Sequence, residues 1–175
     1  KVVRISDLYS EKVLHGDDKW ISGYVNNYPE HGDGYVTVIQ TNKPEFKWSD
    51  ATLNFKRPNK NNLVIYELWV YDHTPSRNIK GLIDRLNYIE DLGVNAVELM
   101  PITEFDGNDS WGYSPNHFFA LDKVYGSPDE LKTFIDECHK RGIAVILDMV
   151  FNHATGLNPM NKLYPYGTDL SKNPW

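Results

Sequence analysis

The sequence predicts an α/β protein with a parallel β-sheet, and two observations carry that prediction. Residues 144–147 are an unbroken apolar run, Ala-Val-Ile-Leu, which is too short for a helix and contains β-branched side chains. Such runs are typical of strands that are covered on both faces of a parallel sheet. Two further strand candidates precede this run, and a helical pattern follows each of them. The alternation of strand and helix favours parallel strands joined by right-handed crossovers.

The first predicted strand and helix cover residues 63–70 and 79–92. The helix is indicated by apolar residues at helical spacing, and Gly93 stands just past its end, where glycine commonly terminates helices. These apolar residues are Ile79, Leu82, Ile83, Leu86 and Ile89.

A second strand is predicted at 94–100, and the helix after it has a clear start signal. Ser127 is a suitable N-cap, Pro128 occupies the first helical position, and Glu130 completes a capping box. The predicted buried face consists of Leu131, Phe134, Ile135 and Cys138. The connection from 101 to 126 is far longer than the roughly 2–6 residues usual in α/β units, which indicates a functional loop.

The amino-terminal part of the chain is β-like and irregular. Residues 35–40 form its clearest strand candidate, and 2–5 and 20–25 are weaker ones. Residues 55–62 are polar and contain proline, which is typical of a linker.

Three polar residues follow the third predicted strand: Asp148, Asn152 and His153. A carboxylate in a buried strand needs partners because an unpaired buried charge is costly. Polar groups at the carboxyl ends of parallel strands are where α/β proteins place their chemistry. The alternative is that Asp148 only caps the next loop and His153 lies on the surface.

Four stretches together resemble the opening of the catalytic barrel of the α-amylase family, glycoside hydrolase family thirteen. They occur in the family's order and spacing: Val-Ile-Tyr-Glu-Leu at 64–68, Asn-Ala-Val-Glu-Leu-Met-Pro-Ile at 95–102, Trp-Gly-Tyr-Ser-Pro at 111–115 with Phe-Phe-Ala at 118–120 and Tyr-Gly at 125–126, and Asp-Met-Val-Phe-Asn-His at 148–153. The last stretch is similar to the first of the family's four signature regions, D-x-x-x-N-H.

The resemblance implies a fold, namely the first three β/α units of a (β/α)8 TIM barrel preceded by the tail of a β-sandwich module. Residues 1–57 would hold that tail and a linker, and 58–175 the incomplete barrel. Residues 6–14 resemble the tail of the module that precedes the barrel in branching-enzyme and isoamylase-like members. A complete barrel takes roughly 250 residues, and the family's other three signature regions do not occur here. We therefore expect an amino-terminal piece of an enzyme.

The resemblance also implies roles for individual residues. Asp148 would be a supporting residue that hydrogen-bonds an arginine beside the nucleophile, rather than the nucleophile itself. Tyr113 would stack on the sugar ring in the subsite where cleavage occurs, and His153 would hydrogen-bond the same sugar. In many members the residue at the position of Asn152 binds a structural calcium through its carbonyl oxygen, whereas members similar to branching enzymes often lack that calcium. Glu67 and Glu98 fall where the family has ordinary structural residues.

The composition of the chain limits the kinds of ligand that it is expected to bind. The formal net charge of -6 argues against nucleic acid as a ligand. The sequence contains no apolar run near the length of a membrane span. Its single cysteine, Cys138, lies on the apolar face of a predicted helix, which indicates a packing thiol. The compartment stays open, with an extracytoplasmic location slightly favoured over a cytoplasmic one.

The expected function is that of an α-glucan-active glycoside hydrolase that cleaves α-1,4 bonds in starch or glycogen with retention. The alternatives are a glucan branching or debranching enzyme or another transglycosidase, a non-catalytic starch-binding relative, and an unrelated (β/α)8 enzyme. The nucleophile and acid/base carboxylates would separate an enzyme from a binding protein. The third strand, at 144–147, would form an open sheet edge, so the remainder of the same enzyme or a second copy is expected to cover it.

Residues 1–175 on their own are expected to be inactive on glucans. Covalent glycoside hydrolysis needs both catalytic carboxylates, and the signature regions that carry them do not occur in this sequence. The check is reducing-sugar release from soluble starch by the purified chain, compared with a mock purification. Release above the mock level would contradict the expectation.

Overall fold

The computed structural model describes residues 2–18, 21, 28–164 and 171. They belong to two compact units, each described here by itself. Unit 1 comprises Lys1–Thr41, Thr103–Val124 and Val150–Trp175, and unit 2 comprises Asn42–Ile102 and Tyr125–Met149. The sequence predicts a boundary between two modules after residue 57. The division into compact units does not test this boundary, which stays a prediction.

The described residues form seven strands and six α-helices. In chain order they are β1 (Val13–His15), β2 (Tyr35–Thr37), α1 (Asp50–Leu53), β3 (Ile65–Leu68), α2 (Val70–His73), α3 (Ile79–Asp84), α4 (Leu86–Asp91), β4 (Ala96–Leu99), β5 (Thr103–Phe105), β6 (Pro115–Leu121), α5 (Pro128–Lys140), β7 (Ala144–Leu147) and α6 (Pro159–Leu163).

Unit 2 is built on a parallel three-stranded sheet in the order β3-β4-β7. The strands pair in register, so that Leu68, Leu99 and Leu147 lie side by side at their carboxyl ends. Ala96, Val97 and Leu99 of the central strand are fully buried. The predicted α/β character and parallel pairing are confirmed, and the first two strands are shorter at both ends than the sequence predicted.

The helices between the strands confirm one prediction and correct another. Helix α5 begins with the predicted capping box, in which the Glu130 backbone N–H donates to Ser127 Oγ at 3.2 Å and Glu130 Oε2 accepts from the Ser127 backbone N–H at 2.7 Å. The single helix predicted over 79–92 is wrong, because Arg85 (φ -102°, ψ 0°) separates α3 from α4. Leu82, Leu86 and Ile89 are nevertheless all buried.

The connection predicted as a long loop contains a β-hairpin. Strands β5 and β6 pair antiparallel with a shifted register between them. The first three residues of β6, Pro115, Asn116 and His117, are all buried. Because burial does not alternate there, the sequence lacks the polar–apolar alternation by which a half-buried strand is recognised.

The other strands of unit 1 are β1 and β2, which pair antiparallel. Their Val13 and Tyr35 form a small apolar core with Ala120 of β6. The strand predicted at 35–40 ends at Thr37, and residues 2–5 form no strand. In the weak candidate at 20–25, only Ile21 lies within the described residues. The β-sandwich module stays a prediction.

Strand β7 lies at an edge of the described sheet, as the sequence predicted. Its Leu147 is 42% exposed, and Val145 is only partly buried. An apolar edge strand with unpaired backbone groups is a surface that other polypeptide tends to cover. That the remainder of the same enzyme covers it stays a prediction.

A buried carboxylate joins α1 to α5 within unit 2. Asp136 Oδ1 accepts hydrogen bonds from the Ser49 backbone N–H at 3.0 Å, from Ser49 Oγ at 2.8 Å and from Thr52 Oγ1 at 2.7 Å. Lys140 Nζ lies 3.1 Å from its other oxygen. Burial raises the pKa of Asp136, but the hydrogen bonds from Thr52 and Ser49 outweigh burial and hold the pKa below its ordinary value.

Replacing Asp136 with asparagine is expected to destabilise the protein. Asparagine removes the charge that strengthens three hydrogen bonds, each worth about 1.5–3 kcal/mol when one partner is charged. We expect Asp136→Asn to lower the free energy of unfolding by about 2–3 kcal/mol, measured by urea denaturation. Asp91→Asn, at an exposed carboxylate, is the matched control and should change it by less than about 0.5 kcal/mol. Equal effects of the two changes would contradict the role of Asp136.

Candidate active site

The segment that carries Tyr113 is the connection of the β5–β6 hairpin in unit 1. The Asp106 backbone N–H donates to the Ser114 carbonyl at 2.9 Å and closes this connection. Gly112, just before Tyr113, has φ 87°, a conformation that favours glycine. The turn leaves Tyr113 39% exposed, which makes it a surface residue.

His153 meets this connection from a distant part of the chain. Its Nε2 lies 2.7 Å from the Tyr113 carbonyl oxygen. A carbonyl only accepts hydrogen bonds, so the proton of this contact is on Nε2. Two residues that the resemblance assigns to one sugar subsite are therefore in direct contact, although 40 positions separate them in the sequence.

The second ring nitrogen of His153 faces its neighbour in the chain. Nδ1 lies 3.1 Å from Asn152 Oδ1. A protonated ring can donate from Nδ1 to Asn152 Oδ1. A neutral ring can instead accept at Nδ1, provided that the Asn152 amide is flipped so that its nitrogen faces the ring. Both ring nitrogens thus have protein partners, and a sugar hydroxyl that binds here must share or replace one of these contacts. His153 and Asn152 are exposed, so exchanging one of these hydrogen bonds for one to a sugar costs little free energy.

Asp148 belongs to unit 2 and directly follows β7. Its backbone N–H donates to the Leu99 carbonyl at 3.0 Å, which extends the parallel ladder by one residue. Asp148 is partly buried at the carboxyl end of the sheet, the edge where parallel α/β proteins place their chemistry. Its supporting role beside a nucleophile stays a prediction.

The calcium ligand that the resemblance implies at Asn152 is its backbone carbonyl oxygen. Calcium takes six to eight oxygen ligands. Within the described residues, no group of three or more histidine, cysteine, aspartate or glutamate side chains is arranged to hold a metal ion. The side chain of Asn152 is engaged with His153. Calcium binding through its carbonyl stays a prediction, and no step of the function proposed below uses a metal.

The sequence analysis missed a buried charged group in unit 1, formed by Asp18, Glu104, Asp122 and Lys123. Lys123 Nζ is bonded to Glu104 Oε1 and lies 3.3 Å from Asp18 Oδ2. The Asp122 carboxylate accepts from the Phe105 backbone N–H at 3.2 Å and the Val124 backbone N–H at 2.9 Å. Two carboxyl groups therefore contact the one ammonium group, and the Asp122 carboxylate interacts with it electrostatically. The only sequence signal was the pair Asp-Lys at 122–123, which is more often a surface feature.

Burial governs the protonation of this group. It raises the pKa of Glu104 to about 8, with a further upward contribution from Asp122 and a downward one from Lys123. Burial also raises the pKa of Asp122 to about 6, against the pull of Lys123. Nearby His117, whose Nε2 lies 2.8 Å from Ser6 Oγ, has its pKa lowered to about 4 by burial and then by the charge of Lys123.

Cys138, Glu67 and Glu98 also lie within helices or strands. Cys138 is a buried free thiol whose pKa burial raises to about 12, which fits packing rather than nucleophilic chemistry. Glu67 and Glu98 stand opposite each other on β3 and β4. Within the described residues, no helix is both long and apolar enough to cross a membrane.

Comparison with known proteins identifies what the chain resembles. The family profile described as "Alpha amylase, catalytic domain" matches residues 45–163. A malto-oligosyltrehalose trehalohydrolase of Saccharolobus solfataricus is 38% identical over 99% of this chain and 30% of its own length. A 1,4-alpha-glucan branching enzyme GlgB of Pseudoalteromonas atlantica is 31% identical over 86% of this chain and 21% of its own length. The chain thus spans less than a third of these curated relatives.

One of the similar solved structures contains a bound ligand. The GBS pullulanase SAP in complex with maltotetraose is similar to this chain with a TM-score of 0.66 and 25% sequence identity. The similarity covers 89% of this chain and 24% of the pullulanase chain.

Because Glu104 in the buried charged group has a raised pKa, we expect the free energy of unfolding to fall as the pH rises. The folded-state pKa of Glu104 is raised above its unfolded value, so its stabilising contribution is full below about pH 4 and is lost as the pH rises through about 8. The lowered pKa of His117 acts only below about pH 6.5. We expect the free energy of unfolding to fall by about 1–2 kcal/mol between roughly pH 6.5 and 8.5, as measured by urea denaturation.

Glu104→Gln separates this group from other titrations, because glutamine keeps an acceptor for Lys123 but cannot ionise. The fall in stability should become shallower in Glu104→Gln and stay unchanged in Asp109→Asn, at an exposed carboxylate of the same unit. A wild-type slope in Glu104→Gln would show that Glu104 does not titrate in this range.

Proposed function

This chain belongs to the α-amylase family, and from that premise we propose that it forms part of an enzyme that cleaves α-1,4 bonds of starch or glycogen with retention. Its family is one of α-glucan-active glycosidases. The parallel sheet of unit 2 is proposed to be the opening of a (β/α)8 barrel, and residues 1–57 the tail of a β-sandwich module. Further barrel strands would then cover β7.

The contact between His153 and Tyr113 is the observation that carries this proposal. A binding subsite needs its residues together on an accessible surface, and here the imidazole of His153 lies 2.7 Å from the backbone carbonyl oxygen of Tyr113, a residue that is itself partly exposed. Aromatic faces and hydrogen-bonding imidazoles are the two kinds of group that a sugar ring with its hydroxyls requires. The same two positions are those that the family resemblance assigns to the cleavage subsite.

Each residue is proposed to act by binding or positioning. The ring of Tyr113 stacks on the sugar at the scissile bond. The Nε2–H of His153 turns from the Tyr113 carbonyl to a sugar hydroxyl when substrate enters. Asp148 accepts a hydrogen bond from an arginine beside the nucleophile. A retaining mechanism requires a nucleophile and an acid/base carboxyl about 5–5.5 Å apart, and we assign neither role to Asp148.

A second candidate substrate comes from the relatives. The Saccharolobus solfataricus relative is named a malto-oligosyltrehalose trehalohydrolase, and the similarity covers nearly the whole length of this chain. A hydrolase of malto-oligosyltrehalose would use the same stacking and hydrogen-bonding groups with different neighbouring subsites. Branching, as in the GlgB relative, is the corresponding transglycosidase alternative. Products formed by the full-length protein from soluble starch, glycogen and malto-oligosyltrehalose distinguish these three.

In the full-length protein, His153→Ala is expected to lower kcat/KM on soluble starch. A hydrogen bond lost at the reacting sugar costs about 1–3 kcal/mol, which corresponds to roughly ten- to a hundred-fold. Tyr113→Ala should cause a similar loss because it removes the stacking surface. His31→Ala, at an exposed histidine of the same unit, is the control and should leave kcat/KM unchanged. If His153→Ala matches that control, His153 does not lie in the cleavage subsite.

A further inference from the structure

Asn116 is a fully buried polar residue, three positions after Tyr113 and near the start of β6. Its exposed fraction is 0%. A buried amide must have its donor and acceptor groups bonded, because each unsatisfied group costs about 1–3 kcal/mol. The partners that satisfy Asn116 therefore indicate which segments it holds together.

The side chain of Asn116 bridges two partners within unit 1. Its Nδ2 donates to the Tyr35 hydroxyl oxygen at 3.1 Å, and its Oδ1 accepts a hydrogen bond from Thr155 Oγ1. The orientation of the amide follows from the neighbours. The Tyr35 hydroxyl donates to the Phe105 carbonyl at 3.4 Å, so it accepts from Asn116. Thr155 Oγ1 accepts from the Leu157 backbone N–H at 3.1 Å and uses its proton for Asn116.

The backbone around Asn116 reaches the same distant segment. The Asn116 carbonyl accepts from Asn158 Nδ2 at 2.8 Å, and the Pro115 carbonyl accepts from the Thr155 backbone N–H at 3.1 Å. Three hydrogen bonds thus fasten residues 155–158 to the start of β6. His153 precedes this segment by two residues.

These bonds determine where His153 stands relative to Tyr113. Both residues are exposed, and a hydrogen bond in contact with water contributes little free energy of its own. Their 2.7 Å contact therefore depends on the buried bonds that hold the segment after His153 against the strand after Tyr113. A displacement of about 1 Å in a substrate-positioning group can cost on the order of a hundredfold in rate.

We propose that Asn116 is a positioning residue, which acts through its bond to Thr155 to hold His153 in the sugar-binding subsite beside Tyr113. This inference rests on the proposed glucan-cleaving function. Asn116 itself is buried and does not touch the sugar. Its contribution reaches the reaction only through the placement of His153.

The test uses Thr155, which is only partly buried, so that its variants are expected to fold. Thr155→Val is near-isosteric and removes the hydroxyl that Asn116 accepts from, whereas Thr155→Ser retains it. In the full-length protein we expect Thr155→Val to lower kcat/KM on soluble starch roughly tenfold. Thr155→Ser should restore it to within about twofold of wild type.

A double-mutant cycle with His153→Ala shows whether the effect passes through His153. In the His153→Ala background, Thr155→Val should change kcat/KM by less than about twofold, because the group it positions is gone. If Thr155→Val keeps its full effect in that background, or if Thr155→Ser is as impaired as Thr155→Val, the proposal is overturned. If His153→Ala alone has no effect, it is the proposed subsite that fails, and the positioning role fails with it.

Discussion

The in-register pairing of three parallel strands is the constraint on which unit 2 depends. Leu68, Leu99 and Leu147 lie side by side, and the ladder continues with the Met100 and Asp148 backbone N–H groups, each 3.0 Å from a carbonyl of the neighbouring strand. Since side chains alternate between the two faces, a slip of one residue would turn each of them to the opposite face. The place of Asp148 at the carboxyl edge follows from this register.

Unit 1 depends on a different kind of interaction, the satisfaction of buried polar groups. Its strands are short and its apolar core is small. Glu104, Asn116 and Asp122 are each 0% exposed, and each is bonded to groups distant in the sequence. Such groups cost stability when unpaired and strengthen one particular arrangement when paired. The exposed contact between Tyr113 and His153 rests on that buried arrangement.

The two units show where local sequence patterns predict the elements of the fold correctly and where they do not. Where the local signal is strong, as in the apolar run of β7 or the capping box of helix α5, the predicted element agreed with the structure. The prediction was wrong at Arg85, which separates α3 from α4 although the apolar spacing continues across it, and in the connection that contains the β5–β6 hairpin. At the start of β6, consecutive rather than alternating residues are buried, and these residues bond to Ser6, Tyr35 and Thr155, which are distant in the sequence.

The sequence by itself determined the family, the parallel α/β arrangement and the candidate positions Tyr113, Asp148 and His153. These depend on local spacing and on short motifs, which are written along the chain. Only the tertiary structure brought His153 to the Tyr113 carbonyl, gathered the carboxyl groups around Lys123 and set Asn116 against Thr155. Such contacts join residues far apart in the sequence, and the burial that gives them their energetic weight exists only once the chain is folded.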